Sequence, residues 1–183
     1  MRLPNLVRAS VGVLLLAGMS GCTTTDSVAP PEPTSTFVAP YATDEEALAA
    51  AEEAYAEYVN VVLASYREGV IDSSTLSDVA SGDHLAELLD EFDERVADGR
   101  YIVGNESFDQ VVLQRYSRDG SPSEIIAVYL CDDLSDLAIY RDGEKIGPNE
   151  PLTTMTMQVV FDLSIDRDAL LVSARDIWDS EAC

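Results

Sequence analysis

The sequence predicts an α+β domain in which N-terminal helices pack on a curved antiparallel sheet. Three observations lead there. Apolar residues recur at helical spacing from Leu48 to Val96. From Tyr101 the period drops to two, and the chain becomes rich in branched and aromatic residues. The gaps between candidate strands are too short to hold the crossover helices that parallel strands need. Helices first, then strands joined by hairpin-like turns, is the α+β pattern.

Thr43 and Glu46 have capping-box spacing. After them Leu48, Ala51, Tyr55, Tyr58, Val59, Val62 and Tyr66 fall on one side of a helix predicted over 44–67, with Gly69 as its terminator. Residues 73–80 read as a short helix or a turn. Asp83 opens a clearer helix, with Leu85, Leu88, Leu89, Phe92 and Val96 on one face and Gly99 closing it. Strands follow at 107–116, 123–131, 137–140, from Met155 to Leu163, and at 169–178. Asp119-Gly120 and Asp142-Gly143 are the turn signals between them. A sheet of this kind curls, and the preceding helices cover its inner face.

The first residues carry Arg2 and Arg8 and no acid, and an apolar run follows from Val11 to Met19. That run is shorter than the roughly 20 residues of a membrane-spanning helix, and it reads as an export signal. Met19-Ser20-Gly21-Cys22 resembles the lipobox of bacterial lipoproteins. The resemblance implies a signal peptide over 1–21, a palmitate-bearing lipid on Cys22, and a membrane lipid as partner. The cell membrane is then the address, with the protein anchored on its extracytoplasmic face. Residues 23–43, rich in Thr, Ser and Pro, cannot form a core and read with Cys22 as a disordered spacer over 22–43. One domain remains, over 44–183.

Thirty-four acids face eleven bases, a formal net charge of −23, and loss of the leader with its two arginines makes it −25. Nucleic acid is excluded as a partner, because phosphate neutralisation needs clustered Lys and Arg. Lys145 is the only lysine beside ten arginines, a bias that fits a high-GC genome.

A long first helix, a second helix and a curved antiparallel sheet resemble the NTF2-like (cystatin-like cone) superfamily. Tyr129-Leu130-Cys131-Asp132, Tyr140-Arg141-Asp142-Gly143 and the segment from Ile177 to Cys183 are similar to small actinobacterial lipoproteins of unassigned role. The resemblance implies an open-ended pocket between the long helix and the sheet. Tyr55, Tyr58, Tyr66, Asp176 and Trp178 are its candidate lining, although the three tyrosines also fit core positions and Trp178 the end of the core.

With Cys22 lipidated, Cys131 and Cys183 remain, and in an exported protein they read as a disulfide pair. One buried and one exposed thiol is the alternative. No catalytic residue is assigned. His84 is the only histidine, sits beside Asp83 at a helix start and reads as exposed. No metal site or cofactor is expected, since transition-metal sites draw on several His or Cys ligands. Asp132, Asp133 and Asp136, like Asp162, Asp166 and Asp168, flank turns and read as local hydrogen-bond acceptors. The favoured function is a non-catalytic binding or accessory module of the cell envelope, with a protein or peptide partner. The alternatives are a small-molecule binder or isomerase- or dehydratase-like enzyme using the pocket, and a structural subunit of a membrane assembly.

Overall fold

A computed structural model describes residues 37–68, 72–119, 121–147, 153–179 and 183. The expected leader, Cys22, most of the spacer, Gly69 and Gly120 lie outside the described residues. Three helices come first: α1 (Asp44–Glu68), α2 (Ser73–Ser77) and α3 (Gly82–Ala97). Seven strands follow: β1 (Arg100–Val103), β2 (Ser107–Tyr116), β3 (Ile126–Asp133), β4 (Ala138–Arg141), β5 (Glu144–Ile146), β6 (Thr154–Ser164) and β7 (Ala169–Asp179).

The α+β order is as the sequence reads, but the single curled sheet is corrected. The strands divide into two antiparallel sheets, β2-β3-β6-β7 and β1-β4-β5. The physical reason is the pairing. β1 leaves its sequence neighbour β2 and pairs with β4, so the chain passes between two sheets instead of coiling one into a cone. The NTF2-like expectation falls with it.

Local chemistry accounts for the elements. Thr43 Oγ1 accepts from the Glu46 amide (3.1 Å), and the Glu46 carboxylate accepts from the Ala42 amide (2.8 Å), which caps α1. Phe37 and Tyr41, within the expected spacer, already pack against the core, and the Tyr41 amide donates to the Tyr116 hydroxyl (2.8 Å). Asp142 and Gly143 both take positive φ, 51° and 84°, as the tight β4–β5 hairpin requires. Gly104 (φ 109°) turns the chain from β1 towards β2 so close to the Asp136 carbonyl that a Cβ would collide with it.

The core lies between α1 and the four-stranded sheet. Ala47, Ala51, Tyr55, Val59 and Leu63 of α1 meet Ile126, Val128 and Leu130 of β3, Met157, Val159 and Phe161 of β6, and Val172 of β7. The β7 edge is pinned at Val172, whose amide donates to the Val79 carbonyl (2.9 Å) and whose carbonyl accepts from the Ser81 amide (2.9 Å).

Cys131 and Cys183 are joined in a disulfide, with Cα atoms 5.9 Å apart. Such a bond fits a domain that works outside the reducing cytoplasm. It also corrects the expected lipid partner. Neither described cysteine offers a free thiol for lipid attachment, and Cys22 lies outside the described residues. The lipoprotein, signal-peptide and palmitate readings are carried no further. No described helix is long and apolar enough to cross a membrane.

Candidate functional site: a buried ion cluster beside a helix–sheet pocket

Four polar side chains converge where α1 crosses the sheet. Along β3, residues 126, 128, 130 and 132 share the core-facing side, since side chains alternate along a strand. The apolar run therefore ends in a carboxylate aimed inward, and Asp132 is fully buried. On β7 a register shift opposite Val160 and Phe161 changes the phase of the strand. Val172 opposes Phe161 and, three residues on, Arg175 opposes the buried Val159, so Arg175 also faces inward.

Arg175 Nη2 donates to Asp132 Oδ2 (2.6 Å) and Glu106 Oε1 (2.8 Å), and its Nε donates to the Tyr55 hydroxyl (2.9 Å). Tyr55 in turn donates to Asp132 Oδ2 (2.7 Å). Asp132 Oδ1 is buried with no hydrogen-bond partner among the described residues. Burial drives the Tyr55 hydroxyl far above its ordinary pKa, with Arg175 opposing and Asp132 reinforcing, so it stays a donor. Burial also raises the Glu106 carboxyl; Arg175 pulls it back and Asp132 pushes it up again. Burial works against the Arg175 charge, but Tyr55, Glu106 and Asp132 outweigh it and hold the guanidinium protonated. Two carboxylates thus share one cation.

Beside this cluster lies a cavity of about 430 Å³, partly open to solvent. One wall is α1, with Tyr58, Val59, Val62, Leu63 and Tyr66. The second is α3, with His84, Leu88, Glu91 and Arg95 in helical register, and Glu87 at its rim. Ile102 of β1, Ile139 of β4 and Leu137 close it, and Glu106 and Arg175 form its polar end. Tyr58 and His84 Nε2 are hydrogen-bonded across the pocket wall (2.9 Å). Arg95 bonds Glu91 one turn back and lies over the Tyr66 ring, 4.9 Å from its centre. Burial and then Glu91 push Tyr66 up to about 12. A second cavity, about 550 Å³, lies over small and polar residues such as Ala127, Gln158 and Ser173 on the other side of the sheet, with no comparable buried charge.

His84 is half-buried rather than exposed, and burial, then Arg175, lowers its pKa. The folded state binds this proton less readily than the unfolded chain. Its stabilising contribution is therefore complete above about pH 6.5 and is lost as the pH falls through the window below that value. Compared with His84→Gln, the parent should lose stability between about pH 7 and pH 5.5, by no more than about 1.4 kcal/mol per pH unit. Urea unfolding across that range measures it, and a difference that stays flat would show an imidazole titrating normally.

The expected lining separates. Tyr58 and Tyr66 line the pocket, while Tyr55 stands behind it, holding the ion cluster. Asp176 does not join them. It opposes Gln158, is exposed and leaves the inward place to Arg175. Trp178 is not in the core either. It is 60% exposed and packs on Tyr129, ring centres 4.8 Å apart. Asp133 and Asp136 accept from nearby backbone amides, of Ser135 (2.9 Å) and Asn105 (3.0 Å), but Asp132 is no turn residue.

Solved structures of similar fold include one that superposes over most of its length. The intermembrane-space region of the chloroplast protein ARC6 superposes with a TM-score of 0.51 at 13% identity, covering 73% of this chain and 97% of that one. A de novo designed β-sheet protein gives 0.33 at 15% identity, over 70% and 91% of the respective chains, which is too low to inform the comparison. No protein-family model matches the sequence, and no curated protein does. The resemblance to small actinobacterial lipoproteins is therefore withdrawn along with the cone fold. Among the described residues, no group of three or more His, Cys, Asp or Glu is arranged to hold a metal ion.

Proposed function

We propose that this domain is a non-catalytic binding module of an extracytoplasmic compartment, and that it holds a small molecule in the pocket between α1, α3 and the three-stranded sheet. The observation that carries the reading is the cavity itself. Ligand sites are concave, mostly apolar and furnished with a few convergent polar groups, and about 430 Å³ of space with His84, Glu106 and Arg175 at its edge has that make-up. Among the described residues, the pocket lining contains no Ser, Thr or Cys. Its polar groups are tied to one another, His84 to Tyr58 and Glu106 to Arg175, which suits holding a ligand in one orientation.

The test is native mass spectrometry of the protein purified gently from its own host. A small-molecule adduct is expected on the parent and should be missing from a Leu137→Trp variant, whose indole fills the pocket. Urea unfolding of the variant checks that it is folded. An adduct carried equally by the Trp variant, or a parent that is bare and unshifted in melting temperature by a broad metabolite panel, would count against the pocket.

A further inference from the structure

Deepening that pocket reading, and resting on it, we infer that the ligand is a small organic cation, an amine whose ammonium group lies against Glu106 and whose apolar body rests on Val62, Leu63 and Ile139. The charges that line the pocket do not cancel. Arg95 is matched by Glu91, with which it makes a hydrogen-bonded ion pair. Arg175 faces both Asp132 and Glu106, so one negative charge in that cluster has no counterpart. Glu87, also in the lining, makes no ion pair among the described residues. The pocket thus holds more negative than positive charge, with its two guanidinium groups already engaged.

Of the cluster's two acids, only Glu106 reaches the cavity, because Asp132 is fully enclosed behind it. Glu106 retains partial exposure, and burial leaves its ionised form incompletely compensated by Arg175. An ammonium placed there supplies the missing charge in a setting of reduced dielectric, where charge-assisted hydrogen bonds are strongest. A carboxylate or phosphate ligand would meet Glu87 and Glu106 and would have to displace protein carboxylates from the guanidinium groups. Arg95 Nη1 is the one buried donor of the lining without a hydrogen-bond partner among the described residues. It can serve a neutral oxygen on the same cation. The apolar walls make up the remainder and select against small inorganic ions.

Three probes of nearly one shape separate these terms: 2-phenylethylammonium, 2-phenylethanol and 3-phenylpropionate, titrated calorimetrically into the purified protein. The ammonium is expected to bind at least about tenfold more tightly than the alcohol, and the carboxylate most weakly, as a desolvated charge pair would give. Glu106→Gln should bring ammonium and alcohol to within about twofold of each other, and its retained alcohol binding would show the pocket intact. Equal affinity of the wild type for ammonium and alcohol, or a preference for the carboxylate, overturns the cation inference and leaves the pocket reading standing. Binding of none of the three overturns both.

Discussion

Arg175→Met is expected to destabilise the domain by about 3–5 kcal/mol, the usual effect of removing one partner from a buried ion pair. Arg175 donates to Asp132, Glu106 and Tyr55, and Asp132 is fully buried. Methionine fills similar space but donates nothing. Asp132 then keeps the Tyr55 hydroxyl as its only described hydrogen-bond donor, while Glu106 adds repulsion from nearby. Such a loss is a large fraction of the roughly 5–15 kcal/mol that holds a domain together. Adding Asp132→Leu to Arg175→Met should recover much of it, because buried pairs can be exchanged for apolar residues more cheaply than they can be broken. Urea denaturation of the parent, the single variant and the double variant measures both effects. A single variant within about 1 kcal/mol of the parent would mean that water reaches Asp132 and the cluster is not desolvated.

Tyr55→Phe offers a milder probe of the same cluster. It removes the hydroxyl that links Arg175 Nε to Asp132 while leaving the ring packed on Tyr58 and Phe108. The separation of the two substitutions locates the energy. The ring belongs to the core and the hydroxyl to the site.

How legible all this is in the sequence depends on the range of the interactions. α1 and α3 are readable because their apolar residues recur every three or four positions and their ends carry local signals, the Thr43–Glu46 cap being one. β6 is readable by alternation and the β4–β5 turn by Asp142-Gly143, whereas register shifts break the alternation of β2. The division into two sheets is not readable, because strand partners are chosen by packing across the whole chain. Nothing local to Arg100–Val103 says that it pairs with Ala138–Arg141 and not with β2.

The site shows the same boundary. Tyr55, Tyr58 and Tyr66 announce themselves by helical spacing, but which of them borders a cavity depends on what the sheets place opposite. His84 reads as an exposed helix start, although its spacing to Leu88, Glu91 and Arg95 already put it on one face with them. Asp132 reads as a turn acid because Asp133 and Asp136 follow it. Its phase with Ile126, Val128 and Leu130 was the available sign that it points inward. Arg175 carried no sign. A bulge decides its direction, and a one-residue change of phase sends Asp176 to solvent and Arg175 to the core-facing side.

Removing the Cys131–Cys183 disulfide should cost about 2–4 kcal/mol, with the loop-entropy estimate for 52 residues near the upper end at about 4 kcal/mol. The topology says where the effect falls. β6 lies between β3 and β7, with Thr156 paired to Cys131 on one side and to Asp179 on the other. The bond therefore joins two segments that share no ladder of their own and straps the end of β7 across β6 to β3. Cys131 alternates with the core-facing Leu130 and Asp132, which places it on the outer side with Tyr129, the residue that Trp178 packs against. Cys183→Ser should loosen that end of β7, shift Trp178 fluorescence towards the red and speed amide exchange near Ile177, while α1 and the β3–β6 ladder remain protected. Cys131→Ser, the double replacement and reduction of the parent should each give nearly the same loss, because all remove one and the same bond. If both single variants keep the parent's stability and Trp178 emission, the strap contributes nothing to the fold. A Cys131→Ser loss far exceeding that of Cys183→Ser would instead assign the stability to packing of the Cys131 side chain, which is only 6% exposed.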